Sequence, residues 1–105
     1  MEIVLKRYHH RPWGIDGDLY LNGVKFCNTV ENPSCHLGEG RYELTLRTHP
    51  FRRGDGALAY KKGEIVVGDK ALAGMVIHSK MVYERLYDRL KKEWQRKHDV
   101  WLCIE

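Results

Sequence analysis

Along the first two thirds of the chain the apolar positions recur at period two, and along the last third at a helical period. Residues 2–8 set Ile3, Leu5 and Arg7 against Val4, Lys6 and Tyr8, the alternation of a first strand. Arg11-Pro12-Trp13-Gly14 and Asp16-Gly17 then read as breaks. Asp18-Leu19-Tyr20-Leu21 and the run Val24 to Val30 flank Asn22-Gly23, a dipeptide that supplies the two positive-φ residues of a type I′ turn. The pattern therefore predicts a tight hairpin lined by Leu19, Leu21, Val24 and Phe26. Residues 31–40 read as a loop, and 41–48 as a strand with Tyr42, Leu44 and Leu46 on one face. Pro50 to Gly56 reads as a basic, glycine-rich loop. Strand-like pieces return at 57–61 and 64–67, ahead of a turn at Gly68-Asp69.

From residue 80 the period changes. Tyr83, Leu86, Tyr87, Leu90 and Trp94 fall on one stripe of a helix predicted over 80–96, with Ser79 as its N-cap. Lys97-His98-Asp99 ends it, and Val100 to Ile104 reads as a last strand returning to the sheet. The predicted architecture is α+β: a small antiparallel, β-rich domain, a sheet or a partly open barrel, with one long C-terminal helix followed by a final strand. At 105 residues the whole chain, 1–105, makes a single domain.

Charge sharpens this picture. Lys80 to Lys97 holds seven basic and three acidic residues, which accounts for the entire formal charge of +4. Acids such as Glu84 and Asp88 alternate with these bases at helical spacing, so the segment reads as a solvated outer face rather than a nucleic-acid surface. Lys91 and Lys92 on that face, Arg52 and Arg53 in the basic loop, and Trp13 beside Pro12 and Gly14 are the candidate partner-binding residues. Apolar runs are too short to span a bilayer, and the alternating N-terminal segment has no signal-peptide core, so a cytoplasmic location without membrane partners is expected.

Three cysteines, Cys27, Cys35 and Cys103, show no C-x-x-C spacing and read as reduced thiols. Cys27 and Cys103 fall in strands, and Cys35 lies in a loop where nothing local would activate it as a nucleophile. His9-His10 are adjacent and point to opposite faces of a strand, and Cys35-His36 share that defect. A metal site would need distant groups such as His49, His78 and a carboxylate to converge, so neither a metal nor a cofactor is expected. His78 reads as a half-buried structural histidine.

Four blocks together resemble a family of small bacterial and phage proteins known as a domain of unknown function. They are Val4-Leu5-Lys6-Arg7 followed by Gly17 to Gly23 and Cys27-Asn28-Thr29-Val30-Glu31; Asn32-Pro33-Ser34-Cys35-His36 with Gly38-Glu39-Gly40-Arg41-Tyr42-Glu43-Leu44; Gly63-Glu64-Ile65-Val66-Val67-Gly68; and Val76-Ile77-His78-Ser79 leading into Val82 to Tyr87. Family members carry I-H-x-G-N and then G-C-I-x-x-G, similar to the histidine–cysteine pair of L,D-transpeptidases that act on peptidoglycan peptides. On this resemblance Glu64 stands at the cysteine position, and Thr48-His49-Pro50-Phe51 corresponds either to a remnant of the histidine segment or to the end of the strand before it. The resemblance thus implies a degenerate member without its nucleophile.

The reading that follows is a non-catalytic binding or structural module with a peptide or protein partner in a peptidoglycan or phage context. One alternative is a small peptidoglycan-peptide hydrolase or transpeptidase-like enzyme in which His49 and Glu64 act as acid and base. Another is a basic nucleic-acid-binding module.

Overall fold

Asn22 and Gly23 adopt φ values of 48° and 84° and close the predicted two-residue turn, so that Leu21 pairs with Val24. Around this hairpin, in a computed structural model, the chain builds β1 (Glu2–Arg11), β2 (Gly14–Leu21), β3 (Val24–Glu31), β4 (Gly40–Leu44), β5 (Phe51–Arg53) and β6 (Ile65–Gly68). Short strands β7 (Ala71–Leu72) and β8 (Met75–Val76) precede helix α1 (Ser79–Gln95) and the last strand β9 (Val100–Ile104). The structure describes residues 1–54, 63–69, 71–72 and 75–105, and the strand expected over 57–61 lies outside them.

The main sheet has seven strands in the order β4-β9-β1-β2-β3-β6-β5 and curves into a half-barrel, confirming the α+β class with a long helix followed by a final strand. Four pairings are antiparallel, whereas β1 with β9 and β5 with β6 are parallel. Both parallel pairs follow from connections too long for a hairpin: β9 returns beside β1 after the helix. Ile3, Leu5, Leu19, Leu21, Leu102 and Ile104 point to the concave side, where Val82, Leu86 and Leu90 of α1 complete the core. The helix packs against β6, β5 and β9. A second, smaller cluster joins Val76 of β8 to Val30 and Val66 on the other face.

Several elements differ from the sequence pattern. The first strand runs on to Arg11 past a bulge at Tyr8, and Pro12-Trp13 form the turn into β2. Asp16 and Gly17 lie inside β2 rather than breaking it. Asp16 is buried in an ion pair with Arg11, and Gly17 leaves room for Thr29 and Leu5. In the hairpin, Lys25 pairs with Tyr20 and Cys27 with Leu19, a bulge that passes the inward position from Phe26 to Cys27. Val24, at the tip, is therefore 70 % exposed. The fourth strand stops at Leu44 because Thr45 and Thr48 exchange backbone hydrogen bonds at 2.9 and 3.2 Å, closing a turn that exposes Leu46. Phe51–Arg53, expected in a loop, pairs in parallel with β6.

Ser79 is the first helical residue and not the N-cap. His78 occupies that place in a left-handed conformation (φ 52°, ψ 33°) without a side-chain cap. The Ser79 hydroxyl instead donates to the Val67 carbonyl at 2.5 Å and accepts from the Gly54 N–H at 2.8 Å, tying the helix start to the sheet. The buried line of the helix is Ser79, Val82, Leu86 and Leu90, one step round from the aromatic stripe, so Tyr83, Tyr87 and Trp94 are only partly buried. At the far end Lys97 N–H reaches Trp94 O and His98 N–H reaches Glu93 O, the double bond pattern of a Schellman stop with Lys97 at φ 60°. Among the described residues no helix is long and apolar enough to cross a membrane.

Candidate functional site

Among the described residues the terminal strands of the curved sheet, β4 and β5, pair on one side, with β9 and β6 respectively. Between them opens a cleft of about 480 Å³ along the seam of the half-barrel. Tyr42, Glu43 and Leu44 of β4 form one bank, and Arg52 of β5 with Gly63 and Glu64 forms the other. Leu37, from the loop after β3, and Pro50 contribute apolar surface, while Arg47 and Thr48 line the turn that joins the banks. Small-molecule sites are concave, largely apolar clefts of about 300–1,000 Å³, and this one falls in that range.

His49, Arg52 and Glu64 are the candidate residues the fold brings together here. Glu64 lies immediately before β6, and its carboxylate sits 3.6 Å from Arg52 Nε. The Arg52 guanidinium also donates from Nη1 to the carbonyls of His49 at 2.9 Å and Phe51 at 2.8 Å. His49 is half-buried against Phe51, Trp94 and Tyr87, with ring centroids 6.1, 6.1 and 6.4 Å away. Its Nδ1 is buried with no hydrogen-bond partner among the described residues. Burial, and then the neighbouring Arg52 charge, push its pKa below the ordinary value of 6.5, so the ring is neutral at neutral pH. The Glu64 carboxylate pairs with Arg52 rather than with His49, so the two catalytic candidates share a cleft without forming an acid–base pair among the described interactions. No cysteine is among the described residues lining the cleft.

The other candidates lie elsewhere. Trp13 is half exposed on the β1–β2 turn, Arg53 is exposed on β5, and Lys91 and Lys92 are exposed on α1. Cys27 is buried, and burial pushes its thiol up to about 12, while Cys35 and Cys103 are partly exposed. His78 is exposed rather than half-buried, because its left-handed backbone turns it outward to Asp69 at 3.3 Å. His10 and His36 do meet, edge to face at 5.7 Å, in a second hollow that also contains His9 and Glu39. Among the described residues no group of three or more histidine, cysteine or acidic side chains could hold a metal ion.

Leu37, which lines the cleft, and Arg7, which holds the Leu37 carbonyl from beside the second hollow, escaped the sequence pattern. Leu37 sits in a segment with no periodicity. Arg7 occupies an inward strand position in line with Ile3 and Leu5, and it meets Glu31, which is fully buried. A charge on an apolar face was the available signal, since such a charge demands a buried partner. Compared with family models, with curated proteins and with solved structures, the chain matches none.

Proposed function

We propose that this chain is a non-catalytic binding module that accepts a short peptide in the cleft between β4 and β5. The observation that carries the reading is the form of the cleft: a groove bounded by two sheet edges, with apolar surface from Leu37, Leu44 and Pro50 and charges of both signs on its rim. Glu43 and Glu64 suit an ammonium group, and Arg47 and Arg52 suit a carboxylate, the two charges that a free, unblocked peptide carries at its ends. The resemblance of the Gly63–Gly68 segment to the nucleophile strand of transpeptidase-like proteins supports a peptidoglycan stem peptide as that ligand. With Glu64 at the cysteine position the site lacks the thiolate that covalent peptide exchange needs.

The test is a titration of the labelled protein with a peptidoglycan stem tetrapeptide, followed by amide chemical shifts. Shifts at Thr48, His49, Arg52, Gly63 and Glu64 are expected, with affinity reduced about tenfold or more in Arg52→Ala and no cleaved or joined peptide after prolonged incubation. Unperturbed spectra at millimolar peptide would overturn the binding reading, and turnover abolished by His49→Ala would replace it with the enzymatic one.

A further inference from the structure

Arg7 and Glu31 stand on strands β1 and β3, with β2 between them, so their pair bridges three strands on the concave side of the sheet. The contact is bidentate: Arg7 Nε donates to Glu31 Oε2 at 2.9 Å and Nη2 donates to Oε1 at 2.7 Å. Glu31 is wholly buried and Arg7 retains only 13 % of its side-chain exposure. Removing both charges from water is costly, and an apolar pair of similar volume commonly supports a fold equally well. What an apolar pair could not supply is a third bond. Arg7 Nη2 also donates to the Leu37 carbonyl at 2.6 Å.

That bond reaches the cleft. Leu37 lines it, and its Cδ2 lies 3.4 Å from where a Cβ on Gly63 would stand, so the side chain rests against the Gly63 backbone. From the same loop, the Cys35 carbonyl accepts the Gly63 N–H at 2.8 Å. Gly63 directly precedes Glu64, the acidic residue of the far bank. We infer that the buried Arg7–Glu31 pair is the positioning element of the cleft: by fixing the Leu37 carbonyl it sets the loop that forms the apolar wall and holds Gly63 and Glu64 in place. This inference rests on the peptide-binding reading for its purpose, but its geometry can be tested without any ligand.

The experiment compares wild type with the apolar replacement Arg7→Met/Glu31→Leu and with Arg7→Lys. Lysine keeps the charge but lacks the planar fork that serves Glu31 and Leu37 together. Each folded variant is read by amide exchange at Gly63, by the Leu37 methyl shifts and by stem-peptide affinity. The expected result is a melting temperature within a few degrees of wild type, Gly63 exchange accelerated about tenfold or more, displaced Leu37 methyl signals and peptide affinity reduced about tenfold. Wild-type exchange and methyl shifts in a folded variant would overturn the inference. If the double variant does not fold, Arg7→Lys decides by the same readouts. Failure of the wild-type protein to bind peptide, with the local loosening still seen, would overturn the functional reading and leave the positioning role standing.

Discussion

Replacing Gly68 with alanine tests how closely the second layer is pressed on the sheet. Gly68 ends β6 and pairs with Asn28 of β3. A Cβ there would stand 2.8 Å from Val76 Cγ2 and 2.9 Å from the Ile77 carbonyl oxygen, and nearer still to Val76 Cβ. Carbon atoms pack at roughly 3.5–4.0 Å, so β8 would have to retreat by about 1 Å or more. Val76 is fully buried on Val30 and Val66, and Ile77 O accepts the Asp69 N–H at 2.7 Å, so retreat disturbs both. Overpacking costs about 1–3 kcal/mol and a weakened hydrogen bond about 1 kcal/mol, against about 0.4–1 kcal/mol gained by stiffening the unfolded chain. The net expectation is a loss of about 1–3 kcal/mol, or roughly 4–20 °C in melting temperature for a domain of this size. Urea unfolding followed by tryptophan fluorescence, with an unchanged slope, measures it. The carbonyl also leads directly into His78 and the Ser79 anchor, so exchange at the first helical amides should rise in the variant. A Gly68→Ala protein within about 0.5 kcal/mol of wild type would refute the close approach.

Leu90→Ala should cost about 2–5 kcal/mol, since Leu90 lies in the helix–sheet core, whereas exposed Lys91→Ala should stay within about 0.5 kcal/mol; equal losses in the same urea assay would mean the buried line of α1 is wrong. His49 has a folded pKa below its unfolded value, so the folded chain binds fewer protons and the stability present above pH 6.5 is lost as pH falls through that window. In urea unfolding the stability difference between wild type and His49→Phe should therefore be constant above pH 6.5, with wild type losing ground to the variant as pH falls below it, and parallel pH profiles would contradict the burial of the ring. In native protein at pH 8 an aromatic disulfide reagent should modify Cys35 and Cys103 and spare Cys27, whose thiol is pushed up to about 12; prompt labelling of Cys27 would show the bulged hairpin to be open.

Local chemistry made the hairpin, the helix and the last strand legible. Asn22-Gly23 favours a tight two-residue turn, the spacing of Tyr83, Leu86, Tyr87, Leu90 and Trp94 fits a helix, and Val100 to Ile104 alternates cleanly in the structure as in the sequence. All three depend on residues close together in the chain. The pairings depend on residues far apart, and there tertiary structure decided. Parallel placement of β9 beside β1 and of β5 beside β6 leaves no mark at either strand. The bulges at Tyr8 and at Lys25-Phe26 reverse which side chains face inward, and period-two reading carries past them unaware. Asp16-Gly17 looked like a turn because both residues favour turns, yet the ion pair of buried Asp16 with Arg11 and ladder pairing on both sides hold them in a strand.

The candidate site divides in the same way. His49, Arg52 and Glu64 stood out as residue types, and the sheet's curvature is what places them in one cleft with Tyr42 and Leu44 from the opposite edge. Chain proximity brought Arg52 to His49, but Arg52 met Glu64 only because β5 and β6 run side by side. Leu37 and its anchor Arg7 are 30 positions apart, and their bond exists because three strands carry one to the other. Sequence determined which chemical groups this protein has to work with. The closing of a curved sheet around them determined which of those groups meet, because burial and pairing energies are realised only between residues that the fold makes neighbours.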